Sequence, residues 1–381
     1  MMTINSLSQQ YDLICEKSLY HRYIHNASIE PLLKNLPSFF EVDVIGTSVK
    51  GQNIYSVTFG KGPKKLLLWS QMHGNESTTT KALFDVFNFF KQPSEIGTQL
   101  LKSCTFKVIT ILSPDGAKAY TRVNANEVDL NRDAQNLTQP ESMVLKNCFE
   151  SFKPDYCYNL HGQRTIFSAG ANDNSAVLSF LAPSQDEARS LTPNRKVAME
   201  IIAEMNKHLQ AVIPNQVGIY DDSFNLNCVG DTFQHLGVPT ILFEAGHYPG
   251  DYAREETRKL IFYALMVSFH YIGTQNLDGS NFENYFNIPE NQKLFHDIII
   301  RDALVDGKIC DVCIQYEERL EEISVKFTPK VARLSKRGEY YAHKAYNANK
   351  QRVLSAKNME LEEGSEIDFV FIENHKISLI M

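Results

Sequence analysis

The sequence has no apolar run of the length that a membrane helix requires. Crossing a bilayer takes about 18 or more consecutive apolar residues, and charged or polar residues interrupt every apolar stretch before that length. The first residues, MMTINSLSQQYDLICEKS, also lack a basic stretch followed by an apolar one, so no secretory leader is predicted. We therefore expect a cytoplasmic protein that does not use a membrane as its partner.

The cysteines are odd in number and scattered, which argues against a disulfide framework. Seven cysteines are scattered through 381 residues. An odd, scattered set fits reduced thiols in a cytoplasm better than paired ones. Cys310 and Cys313 form a CxxC pair, but a zinc ribbon needs a second such pair, and the sequence lacks it. We expect these two thiols to be incidental members of a β segment.

Positive charge is also in short supply. Lys and Arg together number 38 against 45 Asp and Glu, which gives a net charge of -7. Nucleic acids and anionic membranes attract basic surfaces, so neither is expected as a partner. Hydrophobic residues make up 43% of the chain, which is enough for a core of normal size. The length suits two domains, or one large domain with an appendage.

The sequence does contain short apolar strands that alternate with amphipathic helices. Strand-like segments are Glu41–Ile45, Ile54–Phe59, Lys65–Ser70, Phe106–Leu112, Cys157–Leu160 and Pro239–Glu244. Helical spacing occurs in residues 9–24, 29–36, 77–91, 139–152, 194–211 and 252–272. This alternation predicts an α/β domain over residues 1–285, with a mixed, largely parallel central sheet flanked by helices. Residues 290–381 contain strand-like runs without a comparable helix and are predicted to form a small β-rich domain.

Acidic and imidazole side chains follow three of the predicted strands. His73 and Glu76 come after the third strand, His161 directly follows the fifth, and Glu244 ends the sixth. Ligands of α/β sheets bind at the carboxyl ends of strands, so these side chains are expected at one edge. Two His and one carboxylate suit a catalytic zinc with an open position, although the same set could hold ferrous iron. A separate Glu244, available as a general base, favours hydrolysis.

Here a family resemblance becomes specific. The sequence resembles the zinc carboxypeptidase family (metallocarboxypeptidases, carboxypeptidase A-like) over about residues 10–275. The matching segments occur in the family's order. They are Ile45-Gly46-Thr47-Ser48 with Gly51 and Ile54; His73-Gly74-Asn75-Glu76; Pro114-Asp115-Gly116; Arg122; Val128-Asp129-Leu130-Asn131-Arg132; Gln139-Pro140-Glu141-Ser142; Asn159-Leu160-His161; and Phe243-Glu244.

The resemblance implies a role for each matching residue. One zinc ion would be bound by His73, Glu76 and His161, and Glu244 would accept a proton from the attacking water and return it to the leaving amine. Three further roles concern the substrate. Arg122 would stabilise the oxyanion, Asn131 and Arg132 would grip the terminal carboxylate, and Tyr220 is the nearest candidate for the phenol that caps the bound substrate. The expected activity is removal of a C-terminal residue from a peptide.

Two departures from the family pattern leave alternatives open. Asp133 follows Arg132 where many members have Asn, and Gly162-Gln163 follow His161 where a Ser-Tyr or similar pair is usual. A zinc amidase or deacylase acting on N-acyl amino acids or cell-wall peptides is therefore the second hypothesis. A non-catalytic zinc-binding module is the third, although no ligand and no base is missing from the sequence.

Overall fold

A computed structural model describes residues 3–356 and 359–381 of the protein. The chain divides into two compact units, of which the first comprises Met1–Gln163 and Ala176–Asn291. The second comprises Arg164–Ser175 and Gln292–Met381. The membership of Arg164–Ser175 in the second unit had no signal in the sequence. The domain limits predicted above, 1–285 and 290–381, stay a prediction.

The strands are numbered along the chain as the structure has them. They are β1 (Glu41–Thr47), β2 (Asn53–Gly60), β3 (Lys64–Ser70), β4 (Cys104–Ile109), β5 (Tyr156–Gly162), β6 (Ser168–Ala169), β7 (Leu178–Leu181), β8 (Val217–Ile219), β9 (Thr240–Ala245), β10 (Asn291–Gln292), β11 (Phe295–Val305), β12 (Lys308–Glu321), β13 (Ser324–Ser335), β14 (Tyr341–Asn347), β15 (Val353–Ser355), β16 (Phe369–Ile372) and β17 (His375–Ser378). In the described residues, the first unit carries an eight-stranded sheet in the order β1-β2-β4-β3-β5-β9-β7-β8.

The centre of this sheet is parallel. β3 runs parallel to both β4 and β5, and β5 runs parallel to β9. The antiparallel pairs lie outside this centre, at β1–β2, β2–β4 and β7–β9. The predicted α/β fold with a mixed, largely parallel sheet is therefore confirmed. Because β3, β5 and β9 point the same way, their carboxyl ends meet at one edge.

Helices cover both faces of this sheet. The α-helices are α1 (Ile4–Ser8), α2 (Tyr11–Ile14), α3 (Asn26–Lys34), α4 (Thr78–Lys91), α5 (Glu95–Ser103), α6 (Pro114–Ala119), α7 (Pro140–Phe152), α8 (Pro193–Leu209), α9 (Val229–His235) and α10 (Glu255–Thr274); Leu130–Arg132 and Phe282–Asn287 are 3₁₀ turns. One apolar core includes side chains of α4, α8 and α10, and another includes side chains of α7 and α9. Within the described ranges, no helix combines the length and apolar character needed to cross a bilayer.

The helix predicted over residues 9–24 is largely wrong. Only the four residues of α2 are helical there, and the chain then continues as turns. Buried side chains take the backbone groups that a longer helix would use. Asp85 accepts the N–H of Glu16 over 2.8 Å, and Arg258 donates to the carbonyls of Glu16 and Leu19 over 2.9 and 2.6 Å. These tertiary hydrogen bonds outweigh a modest local helical preference.

The second unit is β-rich, as predicted. It contains a four-stranded sheet in the order β13-β12-β11-β14 and a three-stranded sheet in the order β15-β16-β17. Aliphatic side chains from both sheets, including Ile300, Val331 and Val370, form its buried core. Cys310 and Cys313 lie in β12; the Cys313 thiol is buried 3.3 Å from the Ser335 hydroxyl.

Candidate metal centre

Two of the predicted metal ligands lie in the loop that joins β3 to α4. His73 and Glu76 stand three residues apart, and the Glu76 N–H donates to the His73 carbonyl over 3.1 Å. Gly74 lies between them, where an added Cβ would come within 1.9 Å of the Gly116 carbonyl carbon. The close approach of these two backbone segments therefore requires a glycine at position 74.

The third predicted ligand, His161, extends from the carboxyl end of β5 beside that loop. Its Nδ1 lies 3.1 Å from Nδ1 of His73 and 3.0 Å from Oε2 of Glu76. Nδ1 of His73 lies 2.9 Å from Oε1 of Glu76. One ligand atom from each of the three residues lies within 4.8 Å of the others. We call these three residues the metal cluster.

The donor atoms of the metal cluster fit a zinc ion. Bonds of about 2.0–2.2 Å at tetrahedral angles separate neighbouring ligand atoms by about 3.3–3.5 Å, close to the separations observed here. Nδ1 of His73 and Nδ1 of His161 face each other, so a cation between them could accept the lone pairs of both nitrogens. Two nitrogens and one carboxylate oxygen also match the ligand set of catalytic zinc sites that keep a position open for water.

Asp129 supports the metal cluster from outside. Its Oδ1 lies 3.0 Å from Nε2 of His73, the ring nitrogen that faces away from Glu76 and His161. A carboxylate in this place fixes the orientation and tautomer of a metal-binding imidazole. Asp129 belongs to a segment that matches the family pattern, but its sequence context predicts no role for it. The contact joins residues far apart in the chain, so no local pattern indicates it.

The pKa values of the three residues in the metal cluster favour the binding of a cation. Burial alone lowers the pKa of His73, but the Glu76 carboxylate and the bond to Asp129 outweigh it and raise the pKa to about 9. Burial likewise opposes ionisation of Glu76, yet the two imidazoles hold its pKa well below the usual range. Burial lowers the pKa of His161, which favours the neutral form that binds metals. Metal binding at neutral pH should therefore displace a proton from His73.

Glu244 lies in β9 directly beside His161. The parallel pairing of β5 with β9 sets Glu244 opposite His161, so the two backbones are about 5 Å apart at this point. Oε2 of Glu244 is buried and has no hydrogen-bond partner among the described residues. Burial and the nearby Glu76 charge raise the pKa of Glu244 well above its ordinary value. The carboxyl group is thus suited to accept and release a proton rather than to form a permanent ion pair.

Arg122 reaches the metal cluster from the loop after α6. Its Nε and Nη2 donate to Oδ2 of Asp129 over 3.1 and 3.0 Å, and its Nη1 lies 3.5 Å from Oε1 of Glu76. Half of the side chain is exposed. The structure therefore places a guanidinium beside the predicted ligands, with one face open to solvent.

Asn131 and Arg132 lie in the 3₁₀ turn that follows Asp129. Oδ1 of Asn131 accepts the N–H of Val229, the first residue of α9, over 3.1 Å. Arg132 is exposed and donates from Nη1 to the Asn131 carbonyl over 2.8 Å. No carboxylate among the described residues pairs with its guanidinium. Arg132 therefore keeps its charge available to an anionic partner.

Among the predicted site residues, Tyr220 has the weakest structural connection to the metal cluster. It directly follows β8, and its N–H donates to the Phe180 carbonyl over 3.0 Å. β7 separates β8 from β9, the strand that carries Glu244. The tyrosine is half-buried at the sheet's edge strand.

The two departures from the family pattern have structural roles. Asp133 accepts the backbone N–H groups of Thr138 and Gln139 over 2.9 and 3.0 Å, just before α7 begins. Its carboxylate is thus engaged in holding the start of a helix. Gln163 is buried and donates to the Ala176 carbonyl over 2.8 Å while it accepts from Asn291 over 3.2 Å. Both polar groups are occupied within the protein.

Comparison with known proteins agrees with this geometry. A sequence model of the zinc carboxypeptidase family matches residues 25–230, which is more than half of the chain. The chain belongs to the zinc carboxypeptidase family. Mouse (Mus musculus) carboxypeptidase M is 27% identical over 215 residues, which are 47% of this chain and 46% of that protein. The chain thus spans less than half the length of the curated relatives it matches.

Solved structures show the same fold. A metallo-carboxypeptidase from Burkholderia cenocepacia superposes with a TM-score of 0.51 at 15% identity, over 65% of this chain and 67% of the other. Carboxypeptidase A from Helicoverpa armigera gives a TM-score of 0.53 at 14% identity, over 71% and 81% of the two chains. At these identities the comparison supports the fold, and the roles of individual residues rest on the site itself.

Proposed function

We propose that this protein is a zinc-dependent carboxypeptidase that hydrolyses the last peptide bond of a substrate and releases its C-terminal residue. The observation that supports this most strongly is the convergence of His73, Glu76 and His161 to within 3.1 Å of one another, beside Glu244, in a chain of the zinc carboxypeptidase family. One zinc ion per chain and a cytoplasmic location are part of the proposal.

The protein's own groups divide the chemistry between them. Zinc, when bound, would lower the pKa of a water molecule and polarise the scissile carbonyl. Glu244 takes the proton from the attacking water, since its carboxyl oxygen is buried without a partner among the described residues. It then hands that proton to the leaving amine. Burial and the Glu76 charge raise the pKa of Glu244, which makes its carboxylate a stronger base for the first transfer.

Arg122 stabilises the negative charge that develops on the carbonyl oxygen. Two of its nitrogens are fixed by Asp129, while the contact of Nη1 with Glu76 is long, at 3.5 Å. An oxyanion can therefore recruit Nη1 without breaking the bonds that orient the guanidinium.

Asn131 and Arg132 hold the terminal carboxylate of the substrate. The planar fork of Arg132 matches a carboxylate and has no acidic partner among the described residues. Val229 occupies Oδ1 of Asn131, so the amide presents Nδ2, its donor, to the substrate. Tyr220 is proposed to cover the bound substrate with its phenol.

Metal analysis combined with a matched pair of peptides tests this function. The zinc-loaded protein is incubated with one peptide bearing a free C-terminus and the same peptide with a C-terminal amide, and products are read by mass spectrometry. We expect loss of single residues from the free peptide alone. Equal cleavage of the two peptides would show that the protein does not require a terminal carboxylate on its substrate. That result would favour the amidase hypothesis. Bound zinc with no turnover of peptide or N-acyl amino acid substrates would favour a non-catalytic module.

Arg132→Met sharpens that test. If Arg132 binds the terminal carboxylate, the variant should lose most of the preference for the free peptide, mainly through a higher KM. Arg189→Met serves as the control, because Arg189 is also exposed but pairs with Asp222 over 2.9 Å. An unchanged preference in Arg132→Met would reject the proposed role of this residue.

A further inference from the structure

The loop between α6 and the 3₁₀ turn carries a functional side chain at each end. Arg122 stands near its start and Asp129 at its end, and the two are joined by hydrogen bonds of 3.1 and 3.0 Å. Asp129 contacts His73 over 3.0 Å, while Arg122 lies 3.5 Å from Glu76. The positions of both side chains therefore depend on how the loop between them is closed.

Asn124 closes this loop with its backbone and its side chain. Its N–H donates to the Val128 carbonyl, and its carbonyl accepts from Glu127, each over 3.0 Å. Its Oδ1 accepts the N–H groups of Asn126 and Val128, each over 3.1 Å. Glu127 adopts a left-handed conformation, with φ of 61°. One side chain, only 3% exposed, thus satisfies two backbone N–H groups of the loop.

The same side chain ties the loop to α7. Nδ2 of Asn124 donates to Oε1 of Gln139 over 2.8 Å and to Oε2 of Glu141 over 3.1 Å. Glu141 is itself fully buried and accepts the N–H of Val49 over 3.2 Å. Asn124 therefore uses both its acceptor and its donor. Aspartate could not replace it, because it would lose both donors and set a second carboxylate against Glu141.

We propose that Asn124 is a positioning residue, which holds the 122–129 loop so that Arg122 faces the substrate carbonyl and Asp129 orients His73. The Arg122 part of this inference rests on the function proposed above. The Asp129 part rests on zinc binding alone, because it concerns only the support of a metal ligand. The two parts can therefore be tested separately.

Asn124→Ala is the first test, with Asn126→Ala as its matched control. Asn126 lies in the same loop but is exposed, and among the described residues its side chain makes one hydrogen bond, to Gln139 over 2.9 Å. Zinc affinity is measured by competition with a chelator, and kcat and KM on a free peptide. We expect Asn124→Ala to bind zinc about tenfold or more weakly and to lose kcat more than it raises KM. Asn126→Ala should retain both properties, and equal losses in the two variants would overturn the proposal.

Double variants distinguish positioning from general loosening of the fold. If Asn124 acts through Arg122, adding Asn124→Ala to Arg122→Ala should cost little further kcat/KM. If it acts through Asp129, adding it to Asp129→Ala should cost little further zinc affinity. Multiplicative losses in both pairs would show independent effects and would overturn the proposal.

Two outcomes need a safeguard. If Asn124→Ala fails to fold, Asn124→Ser retains a hydroxyl that can accept from the loop backbone, and the same cycles are run with it. If the wild-type protein binds zinc but cleaves no peptide, the proposed function has failed. The zinc-affinity cycle with Asp129→Ala then still decides whether Asn124 positions the ligand.

Discussion

The metal cluster of His73, Glu76 and His161 and the group around Asp85 are both buried and charged, yet their atoms are satisfied differently. Asp85 accepts four hydrogen bonds: two from Arg258 over 2.6 and 2.7 Å, one from Tyr11 over 2.9 Å and one from the Glu16 N–H over 2.8 Å. We call Asp85, Arg258 and Tyr11 the anchor cluster. Here a carboxylate faces a guanidinium, and every carboxylate oxygen has a partner.

In the metal cluster, by contrast, carboxylate oxygens lie close to imidazole nitrogens that can either donate or accept a hydrogen bond. Two imidazole nitrogens face each other at 3.1 Å, and Nε2 of His161 is buried without a partner among the described residues. The same is true of Oε2 of Glu244, on the strand beside the cluster. Native proteins leave few buried polar atoms unsatisfied, so a concentration of them in one place needs an explanation. The anchor cluster thus satisfies its own charges, while the donor atoms of the metal cluster are arranged to fit a cation.

Glu244→Gln should distinguish the two clusters most clearly, because we expect it to reduce activity and leave stability unchanged. The substitution removes the carboxylate that accepts the proton, so kcat is expected to fall about 10²–10⁴-fold. Zinc content and the free energy of unfolding should stay at the wild-type values. Peptide hydrolysis, metal analysis and urea unfolding measure the three quantities. Glu256→Gln is the control, since Glu256 is half exposed on α10. Wild-type kcat in Glu244→Gln would remove the general base from the proposed mechanism.

Arg258→Met should have the opposite effect. The substitution leaves the Asp85 carboxylate buried without its cation, so we expect the free energy of unfolding to fall by about 3–5 kcal/mol, measured by urea unfolding. The folded fraction should keep the wild-type kcat. The double variant Asp85→Leu with Arg258→Met removes both charges and should recover much of the loss. A stable single variant would show that the anchor cluster is not structural.

Asp129→Asn tests whether Asp129 acts like the metal cluster or like the anchor cluster. Its carboxylate is fully hydrogen-bonded, as in the anchor cluster, but it contacts the predicted ligand His73. We expect zinc affinity to fall about 10–100-fold, with little change in the stability of the metal-free protein. Chelator competition and urea unfolding of the metal-free form separate the two quantities. A loss of stability without a loss of affinity would place Asp129 with the anchor cluster instead.

Lys81 offers the smallest and most specific test. Its Nζ donates to Glu255 over 2.6 Å, and burial lowers its pKa from 10.5 to about 8. Between these two values the unfolded chain binds more protons than the folded one, so this group makes stability rise with pH by at most about 1.4 kcal/mol per unit. The stability difference between wild type and Lys81→Met, both zinc-loaded, should therefore shift toward the wild type from pH 8 to 9.5. A difference that is flat with pH would refute the low pKa.

Local pattern decides which parts of this molecule can be predicted from sequence. The apolar run Lys65–Ser70 was predicted as a strand and is β3, and the strand-end positions of His73, His161 and Glu244 followed from the same pattern. The helix expected over residues 9–24 failed because Asp85 and Arg258, distant in the chain, bind its backbone. The support that Asp129 gives His73 was missed for the same reason: it joins positions 56 residues apart.

The second unit is interrupted in sequence, and this affects how the chain can be shortened. Arg164–Ser175 belongs to it, yet the chain on either side, up to Gln163 and from Ala176, belongs to the first unit. Thr165 in that segment accepts a hydrogen bond from Gln315 over 2.6 Å, and its carbonyl lies 2.7 Å from Nε2 of His343. A protein truncated after residue 291 would keep Arg164–Ser175, which begins two residues after Gly162. It would lose Gln315 and His343, the hydrogen-bond partners of this segment. Replacing 164–175 by a short linker in the truncated protein is therefore the cleaner way to isolate the eight-stranded sheet.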